Sequence, residues 1–436
     1  MILSSDSVNV LNVNDIMKED FLHYLWRFKQ IDFNNLKTTH GLKIEVINFG
    51  TYTQLQGPDF FNALIKIDGQ LWAGNVEMHV KASDWYIHHH EIDDNYKNVI
   101  LHVVWENDIE IFNAANQKIP ILVLKNYVDV TLRKKYKNLI KSKYLINCNN
   151  QINQVPQYII SSWKERLFLE RLENKTIFIE EIKQQTNSNW QQITFITLAK
   201  TFGLNTNGSL FKQMAQEIPY HILPKISSNL VSLEALFFGV LQLIPTEAVT
   251  AYELELKNEY QYLKHKFKLD ITLNAPEFYK HRPDNFPTIR LAQLAYLLHK
   301  HKNIFSLITE AKSLDDFYAI FQVQTSQYWN HHYTFNSESA FKIKKTSKNF
   351  INLLLINAII PLLYVYNKAM NKENIDELIY FMEFLPPENN NTTKIFNKLQ
   401  FPISSAFDSQ VVLHLKKNYC DLNKCLNCAI GKNLLN

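Results

Sequence analysis

The stretch Gly74-Asn75-Val76-Glu77-Met78-His79-Val80-Lys81-Ala82-Ser83-Asp84-Trp85 decides how the first part of the chain folds. Apolar and polar residues alternate along it, which is the period of a β-strand, where successive side chains point to opposite faces. Val76, Met78, Val80 and Ala82 then line one face and pack on a core. Asn75, Glu77, His79 and Lys81 line the other, about 7 Å between alternate positions. One reading of the second face is the solvated side of an antiparallel sheet. The other is a row of functional groups, with an acid, an imidazole and an amine on one strand.

The neighbouring sequence builds a sheet around this strand. Phe60 to Ile67 is a second alternating run, and Asp68-Gly69 joins it to Leu71–Ala82 as a hairpin turn. Lys43 to Phe49 reads as a further strand. Ile16 to Phe28 reads as an amphipathic helix capped by Asn14 or Asp15. Downstream, an irregular or helical link leads to Val99–Trp105, which is nearly all apolar, as a strand covered on both faces is. A strand over Ile119–Leu124 and a helix from Val128 to Lys141 follow.

Glycine placement marks a change of architecture. Gly41, Gly50, Gly57, Gly69 and Gly74 crowd the N-terminal part, whereas only Gly203, Gly208 and Gly239 lie between Pro156 and Pro402. Tight turns between strands use glycine and helices avoid it. Runs such as LVSLEALFFGVLQLI and TIRLAQLAYLLHKH carry apolar residues at three- and four-residue spacing. The expected fold is α+β, with a mixed-sheet domain over 17–148 and a larger all-helical domain over 155–415. A cysteine-containing segment, 416–436, closes the chain. Residues 1–16 are polar, lack helical period and are expected to be a disordered extension, with Met17 as an alternative start.

Composition narrows the setting. The chain has 436 residues, 46% hydrophobic and 20% charged, with a net charge of +4, the profile of an ordinary globular protein of two domains. No basic region leading into an apolar stretch opens the chain. The most apolar run, Phe350 to Tyr366, falls short of the ~20 residues of a spanning helix and reads as a buried one. Four cysteines do not make a disulfide scaffold. A soluble cytoplasmic protein without a membrane partner is expected.

The segment from Gly57 to His102 is the densest in acid–base groups and metal-ligand types. Pro58-Asp59 precedes the partner strand of Glu77 and His79. The link that follows holds Asp84, His88, His89, His90, Glu91 and Asp93, and His102 interrupts an apolar strand. Asp84, His88, His90 and His102 are accessory candidates, and His79, His88, His90 and His102 would also make a histidine-ligated zinc site. Pro58-Asp59 followed by Glu77-x-His79 on the next strand resembles the core of the PD-(D/E)XK nuclease superfamily. That resemblance implies a nuclease-like fold, Asp59 and Glu77 as ligands of Mg²⁺ or Mn²⁺, and a water positioned by a basic residue. His79 stands where the superfamily has Lys, so His79 or Lys81 takes that part, and nucleic acid is the implied partner. A non-catalytic nucleic-acid-binding or scaffold protein of the same fold is the alternative. A two-residue turn at Asp68-Gly69 pairs Ile67 with Gln70 and sets Asp59 opposite Met78, on the wrong face. A bulge, a longer loop or a break at Gly57-Pro58 brings it to the side of Glu77.

Over most of its length the chain resembles a bacterial family, domain of unknown function 2851. The segments that carry this are MKEDFLHYLW, GPDFFNA, GNVEMH-x-K-x-SDW, NVILHVVWE, RPDNFPTIRLAQLA and the C-terminal YC-x4-C-x2-C.

Cys420, Cys425 and Cys428, with the distant Cys148, supply four thiols for Zn²⁺ or an iron–sulfur cluster. His414 could replace Cys148. Arg282 and Arg290 flank a helix start that suits a phosphate, against an ordinary helix cap with paired arginines. Trp329 to Tyr333 reads as a buried aromatic cluster or a base-stacking platform. Lys342 to Lys348 reads as a solvated basic run or a contact to a nucleic-acid backbone.

Overall fold

The computed structural model describes residues 17–53, 56–141, 144–335, 337–372, 374–399 and 401–435. The expected disordered extension and the expected caps Asn14 and Asp15 lie outside the described residues. The first helix, α1 (Glu19–Arg27), starts after Lys18 with no side-chain cap. The chain forms two compact units. The first is Met1–Trp163 with Leu399–Phe401 and Leu415–Asn436, and the second is Lys164–Lys398 with Pro402–His414.

The first unit is built on six strands: β1 (Ile44–Asn48), β2 (Thr51–Tyr52), β3 (Phe60–Ile67), β4 (Gln70–Lys81), β5 (Val99–Glu106) and β6 (Ile121–Val123). Their order is β1-β3-β4-β5-β6, with β2 also paired to β3. β1, β3 and β4 are antiparallel neighbours, while β5 and β6 run parallel to β4. The short helix α2 (Asp84–Ile87) lies in the link after β4, and α3 (Val130–Ile140) follows β6.

Both faces of this sheet are covered at its centre. Val76, Met78, Leu101 and Val103 pack with Phe21, Leu25 and Trp26 of α1 and with Tyr136 of α3. Phe21 stacks on Tyr136 at 4.1 Å. Leu426 and Leu435, from the far end of the chain, join the same core. On the other face Ala82, Trp85, Tyr96, Val104, Ile111 and Ile121 form a second cluster. Each such side chain, fully buried, contributes about 1.5–3 kcal/mol. The polar face of β4 is therefore not a solvated sheet face. Asn75, Glu77 and His79 are buried, and only Lys81 is exposed.

The β3–β4 hairpin starts as the turn residues dictate. Asp68 and Gly69 take φ of 50° and 84°, the left-handed pair an Asp-Gly loop supplies, and Ile67 faces Gln70. Regular pairing continues to Ala63 and Gly74, after which Phe60 pairs with Val76. β3 thus carries one extra residue. Asn62 adopts φ 57° there, and its N–H donates to Asn75 Oδ1 at 3.2 Å.

The second unit is helical, with one two-stranded ribbon, His332–Thr334 against Ser337–Glu338. Its apolar helical stretch spans Lys348–Ala369, longer than the sequence pattern suggests. A π-turn at Leu355–Ile359 carries the helix up to Pro361. Pro361 has no N–H to offer the Ile356 carbonyl, and the buried Lys175 ammonium donates to it instead at 3.1 Å. The stretch is 22 residues; its most apolar part has mean hydropathy 1.7, and 72% of that part is buried within the protein, as for a core helix.

Candidate functional site

The extra residue in β3 sets the geometry of the site. With the shifted register Asp59 falls across from Glu77, not Met78. The Asp59 N–H donates to Glu77 Oε2 at 3.1 Å, and Asp59 Oδ2 accepts the Met78 N–H at 3.0 Å. The second bond uses a β4 backbone donor just beyond the end of the β3 ladder. From α1, His23 Nε2 reaches Asp59 Oδ2 at 3.1 Å.

Glu77 also faces a group of imidazoles. Its Oε1 lies 3.5 Å from His79 Nε2 and 3.4 Å from His90 Nε2. His79 Nε2 lies 3.0 Å from His88 Nδ1. One ligand atom from each of His79, His88 and His90 falls within 4.8 Å of the other two. His88 and His90 reach the same spot because His89 between them has φ 60°, a left-handed turn just past α2. Behind them, His79 Nδ1 lies 2.8 Å from His102 Nε2, so whichever ring carries the shared proton fixes the tautomer of the other. Tyr96 stacks on His90 at 3.6 Å, and Trp85 packs edge-on to it at 5.4 Å.

Burial dominates the electrostatics. It raises the Glu77 carboxyl to about 9, and the Asp59 charge adds to the effect. Burial pushes His79 down to about 2, helped by His102 and His90. It takes His102 to about 3 and His90 to about 4. His23 is the exception: burial, the largest influence, opposes its charge, but the Asp59 hydrogen bond and charge, with the charges of Asp20 and Glu19, together raise it. Glu19 is raised by burial and by Asp59. Without a cation burial thus favours a protonated Glu77 and neutral His79, His90 and His102 rings, whose lone pairs could bind one.

A tetrahedral ion with Zn–N and Zn–O bonds near 2.1 Å holds its donors about 3.4 Å apart. His79 and His88 are 3.0 Å apart, and Glu77 lies 3.5 Å from His79 and 3.4 Å from His90, near that value, so the three imidazoles with Glu77 beside two of them are candidate donors for one divalent ion. Mixed nitrogen and oxygen donors suit Zn²⁺ or Mn²⁺ better than Mg²⁺.

The structure brings together Asp59, Glu77, His79, His88, His90 and His102. It leaves out Lys81, which is exposed and whose charge acts on Asp108. Asp84 accepts the Lys81 N–H at 2.9 Å and shapes the turn into α2. Glu19, His23 and Tyr96 were missed by the sequence reading. Glu19 and His23 stand four residues apart, which places both on one side of a helix, and that spacing was the available signal.

The other candidates are employed differently. Arg290 is buried, its guanidinium 3.4 Å over the Phe350 ring and bonded to Gln293 and Asn285, so it is not open to a phosphate. Arg282 is exposed. Trp329 is buried and donates to the Tyr252 hydroxyl at 3.2 Å, as a core aromatic does. The basic run is not a uniform solvated face: Lys344 is buried against the Trp329 carbonyl, and Lys342 pairs with Asp284. His414 pairs with Glu170 at 3.2 Å.

A family model described as "Protein of unknown function (DUF2851)" matches residues 19–391, and the chain belongs to that family. No curated protein and no solved structure matches it. The matched region includes the whole Asp59–His102 cluster and ends before Cys420.

Proposed function

We propose that this member of the DUF2851 family is a metal-dependent hydrolase that cleaves phosphodiester bonds in nucleic acid. The observation that supports this best is the convergence of Asp59, Glu77, His79, His88 and His90 where β3 stops pairing with β4. Glu77, His79, His88 and His90 would hold the ion, with Asp59 beside them. A bound divalent ion lowers the pKa of its water and offsets charge on the phosphate.

The protein's own groups have separable tasks. His102 holds the His79 ring so that Nε2 faces the metal position. His23, whose pKa is raised beside Asp59, can hold a proton next to that carboxylate. Trp85 and Tyr96 pack against His90, and His88 stays open to solvent. Lys81 has no part.

The test is a cleavage panel on single- and double-stranded DNA and RNA with Zn²⁺, Mn²⁺ and Mg²⁺, using the wild type and Glu77→Ala. Cleavage with Mn²⁺ or Zn²⁺ that Glu77→Ala abolishes while remaining folded supports the reading. No cleavage under any of these conditions removes it. The three-imidazole arrangement specifically favours a second reading, a histidine-ligated zinc hydrolase of another substrate. Tight stoichiometric zinc without nucleic-acid cleavage would favour it.

A further inference from the structure

All four cysteines of the chain meet in one place in the first unit. Cys148, Cys420, Cys425 and Cys428 line a single cavity with Leu139 and Ile146. None is in a disulfide and none is exposed. The Asn147 amide, 278 residues away in sequence, donates to Cys425 Sγ at 3.4 Å. Cys428 is met by the Trp163 indole and by the backbone N–H groups of Ile430 and Gly431. Lys416 acts on Cys420 and Lys18 on Cys425. Burial raises the thiols above their ordinary values, and these donors act against it, as donors around metal-bound thiolates do. The backbone is also packed for the purpose. A Cβ on Gly431 would lie 2.1 Å from the Cys425 carbonyl oxygen, so only glycine lets the two segments close around the cavity.

We propose that Cys148, Cys420, Cys425 and Cys428 together ligate one metal centre, separate from the histidine cluster. The cavity is small, about 20 Å³, and four thiolates can hold either a single Zn²⁺ or an iron–sulfur centre.

The centre would also brace the neighbouring site. Leu426, between two of the ligands, packs in the same core as Phe21, Leu22 and Leu25 of α1. Lys18, which faces Cys425, directly precedes α1, the helix that carries Glu19 and His23.

The full chain, purified anaerobically, is analysed for iron, zinc and acid-labile sulfide, together with His79→Ala and the double variant Cys420→Ser/Cys425→Ser. One zinc per chain, or iron with acid-labile sulfide, retained in His79→Ala and reduced at least tenfold in the cysteine variant, is expected. Should the cysteine variant fail to fold, alkylation of wild-type thiols decides: a chelator should speed it at least tenfold. Metal that the cysteine variant keeps and His79→Ala loses overturns the assignment to the thiols. No metal, with thiols that alkylate equally fast with and without chelator, overturns the centre itself.

Discussion

The Asp59 N–H and the Glu77 carboxylate are 3.1 Å apart because β3 holds one residue more than β4 can match. A period of two makes such an insertion decisive. Every residue before the bulge changes face, so Asp59 leaves the side of Met78 and joins that of Glu77. Asn62 makes the bulge tenable, since asparagine tolerates the left-handed conformation better than most residues.

The bulge can be removed. Deleting Asn62 should restore regular pairing and turn Asp59 away from Glu77. Cleavage should fall at least a hundredfold while circular dichroism stays unchanged. Asn62→Gly should be nearly neutral, and Asn62→Val should cost about 1–2 kcal/mol in urea denaturation. Full activity in the deletion variant would detach Asp59 from the chemistry.

Lys81 and Asp59 should separate cleanly under mutation. Lys81→Ala is expected to leave cleavage within about twofold, because its charge lies away from the carboxylates. Asp59→Asn, which keeps the shape and alters the charge beside Glu77, should lower kcat at least a hundredfold. Comparable losses in both would reinstate the lysine.

His102 touches no substrate in this arrangement and acts through His79. His102→Leu should therefore weaken metal binding by roughly 10–100-fold, as loss of an outer hydrogen-bond partner does. Calorimetric titration with Zn²⁺ measures it, and an unchanged affinity would make His102 a packing residue only.

Gly74 lets β4 approach β5. A Cβ there would lie 2.4 Å from Ile100 Cγ2 and 2.5 Å from the Asn98 carbonyl oxygen. Gly74→Ala should destabilise the first unit by about 1–3 kcal/mol, read as a lower denaturant midpoint.

Glu234 gives the second unit a pH dependence. It is fully buried, accepts from the Tyr252 hydroxyl at 2.9 Å, and burial raises its carboxyl from 4.5 to about 7. Between those values the folded state keeps a proton that the unfolded state has released. Stability should therefore fall as pH rises from about 4.5 to about 7, by roughly 3 kcal/mol. Glu234→Gln should flatten that slope, as urea melts at a series of pH values would reveal.

Much of the first unit was legible because it rests on local rules. The alternation of Phe60–Ile67 and Gln70–Lys81, the Asp68-Gly69 turn and the apolar β5 run each have one simple physical solution. The face of Asp59 was not legible. It depends on one inserted residue, and nothing in Phe61-Asn62-Ala63 announces a bulge. The coverage of Glu77 and His79 was hidden too, since it comes from Trp85 and Tyr96 folding back across the sheet. His88 and His90 were visible as ligand types, but their aim depends on the left-handed His89. Glu19 and His23 come from a helix whose apolar side drew the attention.

Leu426, Leu435, Cys420, Cys425 and Cys428 belong to the first unit, yet they follow the second unit along the chain. A ribosome adding about 5–20 residues per second works through the entire second unit between Cys148 and Cys420. For that interval, on the order of tens of seconds, the sheet exists without its closing pieces. A truncated product would carry the Asp59–His102 cluster and lack its brace. Completion of the site is thereby tied to synthesis of the entire second unit.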